Sequence, residues 1–201
     1  MWGDYGALTF GKIRVLLAIS YFTLNGVIML PAKQLTMRQN FINGGPGVLV
    51  SGLAWLTAAM VTHFIGFQAG MISLFVGGML IVPISGVIEH KMSGDAPAPD
   101  KGLMRLALFT LPLLFGGLFF GYVMSFRSEL LFFVIMAIAI GLRYLVFSRI
   151  YGLNAFVFLG VLLIAAGVIA YRSSIQLAAL PLAVGVIEVL IGSFLMLRKL
   201  R

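Results

Sequence analysis

The sequence predicts an all-α fold, a polytopic transmembrane helical bundle, on two observations. Hydrophobic residues make up 61% of the 201 residues and charged residues 10%, with a mean hydropathy of +1.10, well outside the composition of soluble domains. The apolar residues also fall in long unbroken runs, whereas the strands of a membrane barrel alternate polar and apolar positions. Each run must therefore satisfy its own backbone amides as a helix.

A helix needs about 20 mostly apolar residues to cross a hydrocarbon core about 30 Å thick. Seven stretches come near that length: Arg14–Pro31, Gly47–Phe64, Ala69–Val87, Leu103–Met124, Leu130–Phe147, Asn154–Tyr171 and Ala178–Leu197. The first follows Lys12 and Arg14 as a signal h-region follows a positive n-region, but no small-x-small cleavage pattern precedes a soluble domain. The expectation is seven spans, or six plus an N-terminal interfacial helix. The only clearly hydrophilic stretch, Glu89–Lys101, holds Asp95, Pro97, Pro99 and Asp100 and reads as a loop between spans three and four. The chain is thus expected as one integral membrane domain over 1–201: an extra N-terminal span (1–34), a first helical unit (35–88), a loop (89–101), a linker span (102–126) and a second helical unit (127–201).

An offset of 108 residues matches Gly44 with Gly152, Gly52 with Gly160, Gln68 with Gln176 and Gly77 with Gly185. Spans two and three would then overlie spans six and seven in a three-one-three parallel repeat. Chance matching in a Gly- and Leu-rich chain is the competing explanation.

The net charge of +8 comes from 14 Lys and Arg residues scattered over segment ends, so it reports topology and gives no polar face for nucleic acid. Lys33, Arg38, Lys91, Lys101, Arg105, Arg143, Arg149, Arg198, Lys199 and Arg201 fall on one side, and only Lys12, Arg14, Arg127 and Arg172 on the other. By the positive-inside rule the first side, with the C-terminus, is cytoplasmic. The absence of cysteine excludes disulfides and thiolate ligands.

Arg143 and Glu188 are the two ionisable residues embedded deep in apolar runs, where charge is costly and marks a bundle interior or a wet cavity. Each lies about 20 Å from the outer end of its span at about 1.5 Å per residue, so they are expected at matching depth and able to pair. With Tyr144 they are the candidate substrate or proton site. A static clamp between two helices, or an Arg143 that snorkels to the interface, explains the same residues.

Other candidates are weaker. Asn43–Gly47 reads NGGPG, with Pro46 suited to a first helical turn, and amides at Gly44, Gly45 and Gly47 could receive an anion. A Gly-Pro helix start serves as well without a ligand. His63 and His90 fall near opposite membrane faces without a ligand-spaced partner, so no metal site is expected. Gly66-x-x-x-Gly70, Ser73-x-x-x-Gly77 and Gly117-x-x-x-Gly121 place small residues at close-packing spacing, within one chain or between chains. Pro83, Pro112 and Pro181 are candidate kinks. No nucleophile elbow, phosphate loop, dinucleotide fingerprint or paired-carboxylate site appears, so an enzyme has no residue set to rest on and no cofactor is implied.

Three stretches carry a family resemblance: MRQNFINGGPGVLVSG at Met37–Gly52, LFVGGMLIVP at Leu74–Pro83 and RYLVFSRIYG at Arg143–Gly152. Together they resemble an uncharacterised bacterial multi-pass membrane family, a domain of unknown function, over roughly residues 35 to 200. The resemblance implies the bacterial inner membrane and no particular activity. Two functions are expected from the residues: a small-solute transporter or channel centred on Arg143 and Glu188, or a non-catalytic scaffold meeting a second copy or a membrane protein partner through its small-residue stripes. Apart from the lipid bilayer, the partners considered are a small-molecule substrate, a homo-oligomer and a membrane protein; nucleic acid is excluded.

Overall fold

The computed structural model describes residues 31–94, 97–173 and 175–198. The expected first span, Arg14–Pro31, lies apart from Pro31 outside the described residues, as do Lys12, Asp95, Lys199 and Arg201. Gln34–Arg201 form one compact unit, whose fold follows; of the other unit, Met1–Lys33, residues 31–33 are described and are helical.

The described residues hold helices and no strand. After residues 31–41 (α1) comes a turn at Ile42–Gly44, then α2 (Gly45–Phe64), α3 (Phe67–Ser93), α4 (Lys101–Leu108), α5 (Leu111–Ser125), α6 (Glu129–Tyr151), α7 (Asn154–Arg172) and α8 (Ala179–Leu197). Among the described residues, six helical stretches are long and apolar enough to cross a membrane, and they cover the six expected spans from Gly47 onward.

Two of the six are broken, for identifiable reasons. The stretch Pro31–Phe64 is 34 residues long, about 50 Å if straight and too long for a hydrocarbon core of about 30 Å. Three successive left-handed residues interrupt it: Ile42 (φ 48°), Asn43 (φ 57°) and Gly44 (φ 73°). They leave the 20 residues of α2 as the span proper, with α1 at its end. In the stretch Lys101–Ser125, Pro112 cannot donate to the Leu108 carbonyl and its ring would clash there. Accordingly α4 ends at Leu108, and Thr110 donates its hydroxyl to the Ala107 carbonyl at 2.6 Å. Asp100 caps the start of α4 by accepting from the amides of Gly102 at 2.9 Å and Leu103 at 3.0 Å. Pro83 lies inside an unbroken α3, and Pro181 falls in the first turn of α8, where the missing amide costs little; Pro181 is therefore not a kink.

Helices α2, α6, α7 and α8 form the inner bundle; 33–44% of the most apolar window of each is buried, against 11% for α3 and for α4–α5. Helix α8 runs antiparallel along α2, and α7 along α6, while α3 covers α2 and α5 covers α6. Glycines set the closest approaches. At Gly192 an added Cβ would lie 2.5 Å from the Leu49 amide nitrogen, at Gly185 2.8 Å from that of Leu56, and at Gly160 2.6 Å from the Gly141 carbonyl oxygen.

The three-one-three repeat is not reproduced in this packing. Helices α2 and α3 lie closely side by side, whereas α7 and α8, their supposed equivalents, touch lightly. Gly52 faces α8, but Gly160 faces α6. The matched glycines reflect a shared demand for close packing, met with different partners.

Candidate functional site

Glu188 lies midway along α8, with Gly185 one turn before it and Gly192 one turn after. Those glycines bring α2 against this face of α8, so the carboxyl is enclosed by backbone: a Cβ at Gly52 would lie 2.9 Å from Glu188 Cβ. Glu188 is 0% exposed. Its Oε1 accepts a hydrogen bond of 2.8 Å from the Tyr144 hydroxyl of α6, while Oε2 has no protein partner. The Ser51 hydroxyl of α2 faces both Tyr144 and Glu188. Three helices thus meet around one carboxyl.

The direct Arg143–Glu188 ion pair expected from matching depth does not form. Successive residues on a helix point about 100° apart, and Tyr144 takes the inward direction. Arg143 is displaced to the side, its guanidinium carbon 4.9 Å from the centroid of the Phe147 ring one turn on, a cation–π placement. Its Nε is buried without a hydrogen-bond acceptor, and the guanidinium remains within electrostatic range of Glu188.

Aromatic clusters pack in both directions along the bundle from this site. Toward the α6 C-terminus, Tyr144, Phe147, Tyr151 and Phe156 pack together, with Tyr151 and Phe156 stacked at 5.1 Å between centroids. Toward the α6 N-terminus, Trp55 meets Phe133 at 6.3 Å, and Phe67 packs on Phe132 and Phe133 at 6.0 Å each. Trp55, one turn from Ser51 on α2, is 0% exposed and its indole Nε1 has no acceptor. Buried polar atoms are nearly always satisfied, so unmet atoms on Glu188, Trp55 and Arg143 stand out, with a fourth at Thr62 Oγ1 further along α2. A carboxyl with one oxygen held and the other unmet can exchange a proton or hydrogen-bond a small polar solute.

The remaining candidates are placed elsewhere. Gly44 and Gly45 are buried, Gly44 beneath the Tyr151 and Phe156 rings and Gly45 against Met196 and the Gly192 carbonyl; Gly47 has no neighbour within 4 Å of an added Cβ. The NGGPG turn therefore makes a close helix contact lined by rings and a thioether, surroundings unlike those of an anion cradle. His63 and His90 are exposed at opposite ends of the α2–α3 hairpin. Gly70 and Gly77 face α2, and Gly117 and Gly121 face α6, so these small-residue positions are spent inside the chain. Gly66, with φ 127°, caps the start of α3.

The polar side chains of α1 and of the turn after it carry a role with no counterpart among the expected site residues. Arg38 donates to the carbonyls of Tyr151 (2.5 Å) and Gly152 (2.6 Å), and Gln34 to that of Arg149 (2.8 Å). Asn43 donates to the carbonyls of Leu195 and Arg198, each at 3.1 Å, and Asn40 to that of Pro97. Helix C-termini leave carbonyls without intrahelical partners; Gln34 and Arg38 of α1 fill those of α6, and Asn43 of the turn fills those of α8. The QLTMRQNFIN spacing, polar at 34, 38, 40 and 43, was the available signal.

Residues 30–198 match the model of a family of unknown function, DUF7010. No curated protein and no solved structure matches the chain. The match spans the turn at Ile42–Gly44, the polar face of α1 and the whole Ser51–Tyr144–Glu188 cluster, and the chain belongs to this family of unknown function, DUF7010.

Proposed function

We propose that the chain is a multi-pass protein of the bacterial cytoplasmic membrane that moves protons or a small polar solute, with Glu188 as the exchanging group and Tyr144 and Ser51 as its partners. The observation that carries the reading is the fully buried Glu188 carboxyl with one oxygen unmet, enclosed between two aromatic clusters. Such an arrangement suits an occluded state of an alternating-access cycle, because membrane carboxyls are expensive and serve ion and substrate pathways. Orientation follows from charge: Arg38, Lys91, Lys101, Arg105, Arg149 and Arg198 collect at the end holding the α8 C-terminus, against Arg127 and Arg172 at the other, which favours a cytoplasmic C-terminus.

The test is proton flux into vesicles containing the purified protein, read with an entrapped pH dye. Glu188→Gln keeps the size and the Tyr144 hydrogen bond but cannot exchange a proton, so it should abolish flux while the protein stays monodisperse. Flux that survives Glu188→Gln and Arg143→Met combined overturns the site.

A second reading, a non-catalytic scaffold, is favoured by one feature. An apolar groove of about 370 Å³ between α3 and α5, lined by residues such as Met71, Phe75, Phe115 and Phe119, lies open on the outer side of the bundle. In that reading Tyr144–Glu188 locks α6 to α8, and the purified protein carries no flux and assembles through α3 and α5.

A further inference from the structure

We propose that residues 34–44, the polar face of α1 together with the left-handed turn, form the cytoplasmic gate of the Glu188 site. The inference rests on the transport reading above. Three independent features place the gate here. Arg38 holds the carbonyl of Tyr151, the residue whose ring stacks on Phe156 in the cluster covering Tyr144. Gly44 seats directly beneath the same two rings, since a Cβ there would meet Phe156 at 2.9 Å and Tyr151 at 3.0 Å. Asn43, in the turn, holds the end of α8 through Leu195 and Arg198. One short segment thus ties together the ends of the two helices that carry Tyr144 and Glu188.

The turn is built to move. A β-branched residue in the left-handed region is a genuine outlier, and Ile42 has φ 48° with Asn43 at 57° beside it. Strain of this kind persists only while surrounding contacts hold it. When Arg38 and Asn43 release their carbonyls, Ile42 and Asn43 can return to right-handed values, lifting Gly44 from the rings. The Tyr151–Phe156 stack then loses its floor, and water reaches Tyr144 and Glu188 from this end. Closure by the outer cluster of Trp55, Phe67, Phe132 and Phe133 is unaffected, as alternating access requires.

The experiment reads water access to Glu188 directly: modification by a water-soluble carbodiimide with glycine ethyl ester, quantified by mass spectrometry on the full chain in lipid nanodiscs. Glu129, exposed at the opposite end, is the internal reference. Releasing the gate with Arg38→Ala and Asn43→Ala should raise modification of Glu188 relative to Glu129 about tenfold, the shift expected from losing hydrogen bonds that favour one state. Locking it tests the converse. The chain has no cysteine, and a Cβ at Gly152 would lie against the Gln34 side chain, so Gln34→Cys with Gly152→Cys should form a disulfide between α1 and the end of α6; the strain of a side chain at Gly152, which has φ 60°, is common to locked and reduced protein and drops out of their comparison. Modification should fall when that disulfide forms and recover on reduction. Equal modification in locked and reduced protein overturns the gate, even if the released variant fails to fold. Modification needs no flux, so a chain that gates Glu188 yet moves no proton keeps this inference and removes the transport reading.

Discussion

The Tyr144 hydroxyl donates to Glu188 Oε1 over 2.8 Å, joining α6 to α8 at a level where the neighbouring turns of α8 present Gly185 and Gly192. Removing that donor leaves the buried carboxyl with the Ser51 hydroxyl as a facing polar group and no hydrogen bond in place. Tyr144→Phe should therefore cost about 1–3 kcal/mol, the penalty for an unsatisfied buried group, read as lower resistance to thermal unfolding in detergent. An unchanged unfolding temperature would mean that Ser51 alone satisfies Glu188.

Removing both partners should behave differently. A buried polar pair replaced by apolar groups of similar shape is often neutral or stabilising, so Tyr144→Phe combined with Glu188→Met should recover much of the stability lost in Tyr144→Phe. The double variant should still carry no proton flux. That outcome would separate function from stability, because a pair kept only as a clamp has no reason to be polar. A double variant no more stable than Tyr144→Phe would support the clamp.

Glycines at helix contacts should tolerate no side chain, and those facing open space should. At Gly192 the Cβ of alanine would press on the Leu49 amide nitrogen and Cα, at 2.5 and 2.8 Å, so α2 and α8 must separate. Gly192→Ala should cost about 1–3 kcal/mol by overpacking. Gly78 has nothing within 4 Å, and Gly78→Ala should be neutral or stabilise by up to about 1 kcal/mol through helix propensity. The pair can be read side by side as unfolding temperatures; similar losses at both positions would mean that propensity and not contact governs them.

The apolar runs made six helices legible, because length and hydropathy alone decide whether a segment can cross hydrocarbon. Glu188 was legible for a related reason: a carboxyl in such a run must be buried against a donor. Which donor was not, since depth along a helix is readable from residue counts but azimuth is not, and azimuth put Tyr144 rather than Arg143 in front of Glu188. The closest contacts were legible only in part. Four-residue spacing of small residues drew attention to α3 and α5, while Gly45 and Gly52, Gly70 and Gly77, Gly160 and Gly167, and Gly185 and Gly192 each stand seven apart. That spacing puts both glycines of a pair on one helix face two turns apart. The QLTMRQNFIN spacing marks Arg38 and Asn43 as polar positions, but which carbonyls they cap depends on the helix ends that lie beside α1 and the turn, and no local pattern carries that.

Gly117 and Gly121 were natural candidates for an interface between copies, yet Gly117 lies against Ala139 and Gly121 against Phe132, both on α6. Gly117→Leu should therefore loosen α5 from α6 and lower stability without itself changing the assembly state. Light scattering of the detergent complex with the protein mass resolved separates the two outcomes. A change of oligomer at unchanged stability would return these residues to an intermolecular surface.

The break between α4 and α5 makes a prediction about shape. Pro112 leaves the Leu108 carbonyl without its amide donor, and Thr110 turns its hydroxyl back to Ala107. Pro112→Leu restores the donor and removes the ring clash, which together weigh about 3 kcal/mol against a proline in a helix interior. The two segments should then join as one helix from Lys101 to Ser125. Because α5 is fixed to α6 through Gly117 and Gly121, the motion must appear at α4. Spin labels at Lys101 and Tyr122 should move apart, toward about 1.5 Å per intervening residue. An unchanged distance would mean that the packing of α4 on α6, and not the proline, holds the bend.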